Sequence, residues 1–350
     1  MKTKSLQFGK AMSAALFVLL LNVAGMKNAL AQNQVATLQH GEDISVFYGN
    51  NAFVEAHTAA VDGDIITLSS GNFIKTDITK AITLRGAGYV TDTVAGSLPT
   101  IITGDLTISI SNDTAFLSLE GIYFLGKVRY HILSNPVFSK CAFYEFTYAQ
   151  ANSSMMNFAQ FVNCLFLKRS GSVSDHFFNF TSGTSFINCV VYGMRSNVAP
   201  LQAYNSIIYV GGSSQDALSA YNCIIINNCD SHHVSYLSGN SIAYNCIGIT
   251  LGYSPVFNGN TTFNCQTYSS YSQVFETFTG GFSLYDTYFL KDEIATGFLG
   301  SDGTQVGIYG GFMPYSNRPS YMVLKRCNVA NRSTIDGKLS VDIEVVAEEE

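Results

Sequence analysis

The sequence predicts an all-β chain wound as a single-stranded right-handed parallel β-helix, a solenoid with a short N-terminal capping helix and a small C-terminal β cap. Three observations carry this expectation. A short motif recurs at the interval of one coil, the strands around it are bounded by turn residues, and the composition suits stacked strands. Charged residues are only 13% of the 350, Trp is absent, and Phe and Tyr are plentiful, which favours pleated, half-buried surfaces over solvated helices.

The motif is an Asn-Cys pair set between short apolar runs. It reads Val162-Asn163-Cys164-Leu165-Phe166, Ile187-Asn188-Cys189-Val190-Val191, Tyr204-Asn205-Ser206-Ile207-Ile208, Tyr221-Asn222-Cys223-Ile224-Ile225, Tyr244-Asn245-Cys246-Ile247 and Phe263-Asn264-Cys265. Ser139-Lys140-Cys141-Ala142-Phe143 and Leu119-Glu120-Gly121-Ile122-Tyr123 read as degenerate earlier copies. Successive template positions from Gly121 to Cys265 lie 20, 23, 25, 17, 17, 23 and 19 residues apart. Helical repeats need about 33 residues and a 3.6-residue apolar period, so stacked β-coils fit better. Asn tolerates a left-handed backbone, and identical Asn side chains on successive coils can hydrogen-bond as a ladder. Cys at the next position fills a narrow interior corner as a small apolar group.

The elements follow in order. Lys2, Lys4 and Lys10, the apolar run Ala14 to Leu21, and Ala29-Leu30-Ala31 before Gln32 read as a signal peptide over residues 1–31. No later stretch is apolar for long enough to span a bilayer. The solenoid is expected over 32–298. Phe53, Ala56 and Ala60 share one face of a short helix that plugs its N-terminal end. Ile65-Ile66-Thr67-Leu68, Ile82-Thr83-Leu84 and Leu106-Thr107-Ile108 are the first coil strands. From Leu299 the pattern breaks into Gly300-Ser301-Asp302-Gly303 and Gly307-Ile308-Tyr309-Gly310-Gly311, so 299–350 is expected to be a cap or small β appendage. In it Leu339, Val341, Ile343 and Val345 alternate as a half-buried strand.

Ala59 to Phe73 followed by Ile82-Thr83-Leu84-Arg85-Gly86-Ala87-Gly88 resembles the opening coils of pectate-lyase-like right-handed parallel β-helix proteins, and the Asn-Cys repeats resemble their later coils. Asp302 to Gly311, with Asp336-Gly337-Lys338-Leu339, is similar to an ending of exported Gram-negative β-helix proteins. The resemblance covers most of the chain after residue 31 and implies the fold more than an activity, since this fold hosts lyases, hydrolases, adhesins and binding proteins. For a lyase it implies acidic calcium ligands beside an Arg or Lys base. The lyase-type Trp-Ile-Asp-His run has no counterpart in a chain without Trp, and Arg318-Pro319 lies beyond the repeats. A hydrolase would pair Asp residues within one coil, and no such doubling stands between Lys127 and Leu290.

Several residue groups carry side chains of the kinds that build sites. Asp62-Gly63-Asp64 lacks the rest of a calcium loop and reads as a turn. Cys229, Asp230, His232 and His233 form the densest group of potential metal ligands, but the spacing reads as a loop between coils, and Asp175-His176 is weaker still. Six of the eight Cys share the template position, so mostly buried free thiols are expected, with a bond at Cys229 or Cys327 left open. If the template residue and the one two later face inward, the residue three later faces outward. That outward column holds Phe124, Tyr144, Tyr192, Tyr209 and Tyr268, the candidate ligand-binding residues, suited to sugar rings or a protein partner. The competing reading is that turns shift the phase, or that loops cover this face as near-continuously apolar strands require.

A net charge of -6 with scattered Lys and Arg excludes a nucleic-acid surface. No catalytic, cofactor-binding or metal-ligating residue is assigned. The expectation is an exported protein of the periplasm, outer surface or medium, non-catalytic, binding polysaccharide or another envelope component such as a surface protein. The alternative is a polysaccharide lyase or glycoside hydrolase, with calcium implied only for the lyase, and a third is a structural role in an assembly.

Overall fold

The computed structural model describes residues 34–92, 97–111, 116–150, 155–167, 183–196, 201–210, 218–227, 241–252, 255–257 and 261–318, with the strands His176–Phe178, Gln215–Asp216, Tyr236–Leu237, Val323–Val329 and Val341–Val346. The signal-peptide reading and the Cys229 to His233 group lie outside these residues, as does Asp175. Of His176 and Cys327 the backbone strands are described.

The chain is a parallel β-solenoid. Two twelve-stranded sheets run its length, each coil giving one strand to the first sheet, a tight corner turned at one left-handed residue, and one strand to the second. The corner is the Asn of the repeat. Asn163, Asn188, Asn205, Asn222, Asn245 and Asn264 have φ between 46° and 56°, and Lys140 (50°) and Gly121 (67°) take the same place in earlier coils. Asn and Gly accept this left-handed conformation at least cost, which is why the motif recurs there.

Inside the tube, the middle residue of each first-sheet strand faces the axis: Leu119, Phe138, Phe161, Phe186, Ala203, Ala220 and Ala243. Phe138, Phe161 and Phe186 stack at 4.8 and 5.0 Å, and towards the C-terminal end the inward residue changes from Phe to Ala. Cys141, Cys164, Cys189, Cys223 and Cys246 are buried free thiols just past the corner, each donating to a backbone carbonyl, with Ser206 in the same column. Burial pushes the Cys141, Cys164 and Cys246 thiols well up, so they pack as apolar groups.

The N-terminal end is closed by a hairpin and a helix. β1 (Val35–His40) runs antiparallel to both β2 (Asp43–Tyr48) and the first coil strand β3 (Ile65–Leu68). Helix α1 (Ala52–Ala59) buries Phe53 and Ala56 in the core, and Lys80 Nζ donates to the carbonyls of His57 and Thr58 at its C-terminal end, at 2.6 and 2.9 Å. Asp62-Gly63-Asp64 is a turn: Asp64 accepts from Val61 N–H at 2.8 Å, Asp62 from Ala81 N–H at 2.8 Å, and Gly63 has φ 92°.

Beyond the last coil, Tyr271 to Tyr315 adds no strand to either sheet and lies along the outer face of the second one. That face is apolar, with Leu165, Val190, Ile207, Ile224 and Ile247 one residue past the Cys, and it buries against Phe275, Phe278, Phe282, Leu290 and Ile308 of this strap. Second-sheet strands such as Ile207–Val210 are buried at every position, the pattern of a parallel strand covered on both sides. The C-terminal strand Val341–Val346 pairs antiparallel with Val323–Val329.

Candidate functional site

The expected aromatic column divides. Tyr192 and Tyr209 do point out of the second sheet and stack at 4.4 Å, but Phe282 of the strap closes over them at 4.6 and 5.4 Å and leaves them 5% and 4% exposed. Tyr144 and Tyr268 are partly buried at the margins of the same cluster, with Tyr268 Oη donating to Gln266 Oε1 at 2.8 Å. Phe124 faces inward, because Gly121 occupies the left-handed Asn corner and not the Cys position. Phe124 therefore pairs with Phe143 in the inner column, their rings 5.2 Å apart, and Tyr123 takes the outward place. A one-residue slip moves a side chain to the other face.

The aromatic row that remains open to water stands on the first sheet. Tyr204, Tyr221, Tyr244 and Phe263 each precede a corner Asn and, by the period of two, face away from the buried Ala203, Ala220 and Ala243 beside them. Their rings stack at 5.2, 5.3 and 4.5 Å with interplanar angles of 11°, 2° and 7°. Phe263 ends the row, 48% exposed. Parallel in-register coils hold identical side chains about 4.8 Å apart, and this spacing makes the stack. Gln202, Ser219, Ile242 and Thr261 form the next outward column, and Tyr204 Oη donates to Gln202 Oε1 at 3.2 Å. Burial, and then the neighbouring Tyr221, push the Tyr204 hydroxyl above its ordinary range, so it is a neutral donor at pH 7.

Beside the rings runs the Asn column, and its coils have different partners. Asn188 and Asn222 bond the strap, whereas Asn264 Nδ2 donates to Asn245 Oδ1 at 2.6 Å, and Asn264 is exposed. The C-terminal coils thus present stacked rings and ladder amides side by side. Such a surface offers ring edges, phenol hydroxyls and amide groups at a regular repeat along the rod.

A second polar group lies where the second sheet bends, on coils nearer the N-terminus. Lys127 Nζ bonds the buried Glu145 carboxylate, Asp105 accepts from Lys127 N–H at 2.9 Å, and Arg129 Nη2 meets Asp105 at 3.1 Å. The Lys127 backbone bond and then Arg129 hold the Asp105 carboxyl below its usual range, burial opposing them. Two acids and two bases from three adjacent coils therefore form one neutralised stack. Among the described residues, no three His, Cys, Asp or Glu side chains come together to hold a metal ion, and no helix is long and apolar enough to cross a membrane.

No protein-family model, no curated protein and no solved structure matches this chain.

The open row was present in the repeat as Tyr-Asn, two residues before the template position. Counting the strand period backwards from the inward Ala at 203, 220 and 243 finds it. Counting only forwards from the Cys finds the face that the strap covers.

Proposed function

We propose that this protein is an exported, non-catalytic polysaccharide-binding β-solenoid that takes its ligand along the outer face of the first sheet. The observation that carries this reading is the stacked row Tyr204, Tyr221, Tyr244 and Phe263 beside the half-buried amide of Asn245 and the exposed amide of Asn264. A glycan is a periodic ligand of hydroxyls and apolar ring faces, and a periodic row of phenols, amides and rings matches both kinds of group along one axis. The N-terminal pattern of Lys2, Lys4, Lys10 and Ala29-Leu30-Ala31 supports export, which would bring the chain to envelope or extracellular polysaccharide.

A second reading, a lyase or hydrolase, has its own observation in the stack of Asp105, Lys127, Arg129 and Glu145. Acids beside Lys and Arg on adjacent coils are the kind of group that proton abstraction from an acidic sugar needs. One experiment separates the two. The purified protein is incubated with a panel of acidic and neutral polysaccharides in the presence of calcium, and both retention and unsaturated or reducing products are read. Retention without products is expected. Product formation would replace the binding reading with the enzymatic one, and neither retention nor products would overturn both.

A further inference from the structure

The two ends of the first sheet are finished differently. In the last coil the inward positions change from Ala243 and Gly248 to Thr262 and Thr267, and Thr261–Phe263 is exposed throughout, so this end meets water with polar groups. At the other end β2 is the outermost strand, and there Ile44, Val46 and Tyr48 stand 67%, 44% and 65% exposed. Exposed apolar edge strands are what natural sheets usually avoid.

The register shows where the β2 backbone points. Gly49 N–H donates to the Gln34 carbonyl at 2.7 Å, and the Val35 carbonyl accepts from Ser69 N–H at 2.9 Å. With Val35 opposite Tyr48, Thr37 opposite Val46 and Gln39 opposite Ile44, the antiparallel alternation turns the N–H and C=O of Ile44, Val46 and Tyr48 away from β1, towards the open edge. Ser45 and Phe47 lie opposite the buried Leu38 and Ala36, so Ile44, Val46 and Tyr48 also share the outer face. Ile74, itself exposed, bonds the Asn50 carbonyl, two residues past β2, through its N–H at 3.2 Å.

We propose that β2 pairs antiparallel with β2 of a second copy of this chain, about a two-fold axis through Val46. In this register each Ile44 lies opposite the other copy's Tyr48, and the two Val46 residues oppose each other. All three outward-pointing residues then fall in hydrogen-bonded pairs. Asp43 falls opposite Gly49, so the acidic residues at the hairpin tip do not face one another. A register centred on Ser45 would instead set Tyr48 against Glu42 and lose an apolar pair. The contact is isologous, so it closes at two copies and joins the two first sheets into one continuous sheet. A single-strand seam is small beside standard interfaces, so the dimer is concentration-dependent.

Sedimentation velocity over a wide concentration range tests this, alongside oxidative cross-linking of cysteine variants against the unmodified chain. A monomer–dimer equilibrium is expected, abolished by Val46→Lys, which sets two ammonium groups against each other. Val46→Cys should cross-link alone, Ile44→Cys should not, and Ile44→Cys with Tyr48→Cys should. Circular dichroism confirms that the exposed-edge variants stay folded. A monomer at every concentration, a dimer indifferent to Val46→Lys, or cross-linking by Ile44→Cys alone would overturn the proposal.

Discussion

Asn188 donates its side-chain amide to the backbone carbonyl of Gly310, at 2.8 Å, and to that of Ile308 at 2.7 Å. Two coils further on, Asn222 Oδ1 accepts from Ser301 N–H at 2.9 Å, and the Asn222 carbonyl accepts from Gly307 N–H at 2.8 Å. The asparagines that turn the corner of the solenoid are therefore also the strip to which the strap is fastened. A Cβ on Gly310 would strike the Gln305 carbonyl and come within 2.8 Å of Asn205 Nδ2, so close approach to this strip requires Gly there.

Replacing Asn188 should loosen the strap and the corner together. Asn188→Ala removes two buried bonds, takes the side-chain donor from the Gly310 carbonyl while Ile308 keeps the Tyr315 N–H, and puts Ala at φ 50°, a loss of about 2–4 kcal/mol. Asn188→Gly keeps the backbone freedom and should recover part of it. Chemical unfolding of the two variants, compared with the parent, checks the order.

Phe282 seals Tyr192 and Tyr209. Phe282→Ala should cost about 3–5 kcal/mol. It should also open the apolar face of the second sheet, read as increased binding of a hydrophobic dye and faster proteolysis between Tyr271 and Tyr315.

His57 makes the N-terminal cap sensitive to acid. It is buried in α1, and its Nε2 accepts from Thr79 N–H at 3.3 Å. Burial, then the nearby Lys80 charge, lower its pKa below the ordinary 6.5, with Asp77 opposing. The folded state thus binds this proton less readily than the unfolded chain. Its stabilising contribution is whole above pH 6.5 and declines as pH falls from there towards the lowered value. Unfolding midpoints should drop across that window, and His57→Gln should flatten the drop.

Lys127 and Glu145 should prove unequal partners. Lys127→Met removes one cation from beside the buried Glu145 carboxylate, an expected loss of about 1–3 kcal/mol, since Lys127 is partly exposed. Glu145→Gln keeps the shape and lets Lys127 reach water, so its loss should be smaller. Urea titration of both variants and of the double variant gives the coupling.

Much of the fold was legible in the sequence because it is local. The Asn-Cys spacing marks each corner, since few residues other than Asn and Gly take φ near 50°, and the apolar runs mark strands covered on both sides. What covers the second side was not legible. The strap's partners lie from about 80 to more than 200 residues away, as in Asn222 with Ser301 and Tyr89 with Tyr315, and no periodicity encodes such pairs. This is why the sequence leaves Tyr192 and Tyr209 open between a bare and a covered face; they lie in a core. Phe124 failed for a different reason, as Gly121 resembles the Cys position in its flanks but takes the Asn conformation.

The most direct test of the central claim is binding of the polysaccharide retained in the panel to Tyr221→Ala, Tyr244→Ala and the double variant, with Phe312→Ala on the strap, 91% exposed, as control. A ring contact of about 0.5–1.5 kcal/mol translates to a loss of about 2- to 12-fold per ring. The account expects affinity to fall at each ladder position and most in the double variant, with unfolding midpoints near the parent's and the control unchanged. Undiminished affinity in the double variant would contradict it, because the ligand would then be held by another face of the solenoid.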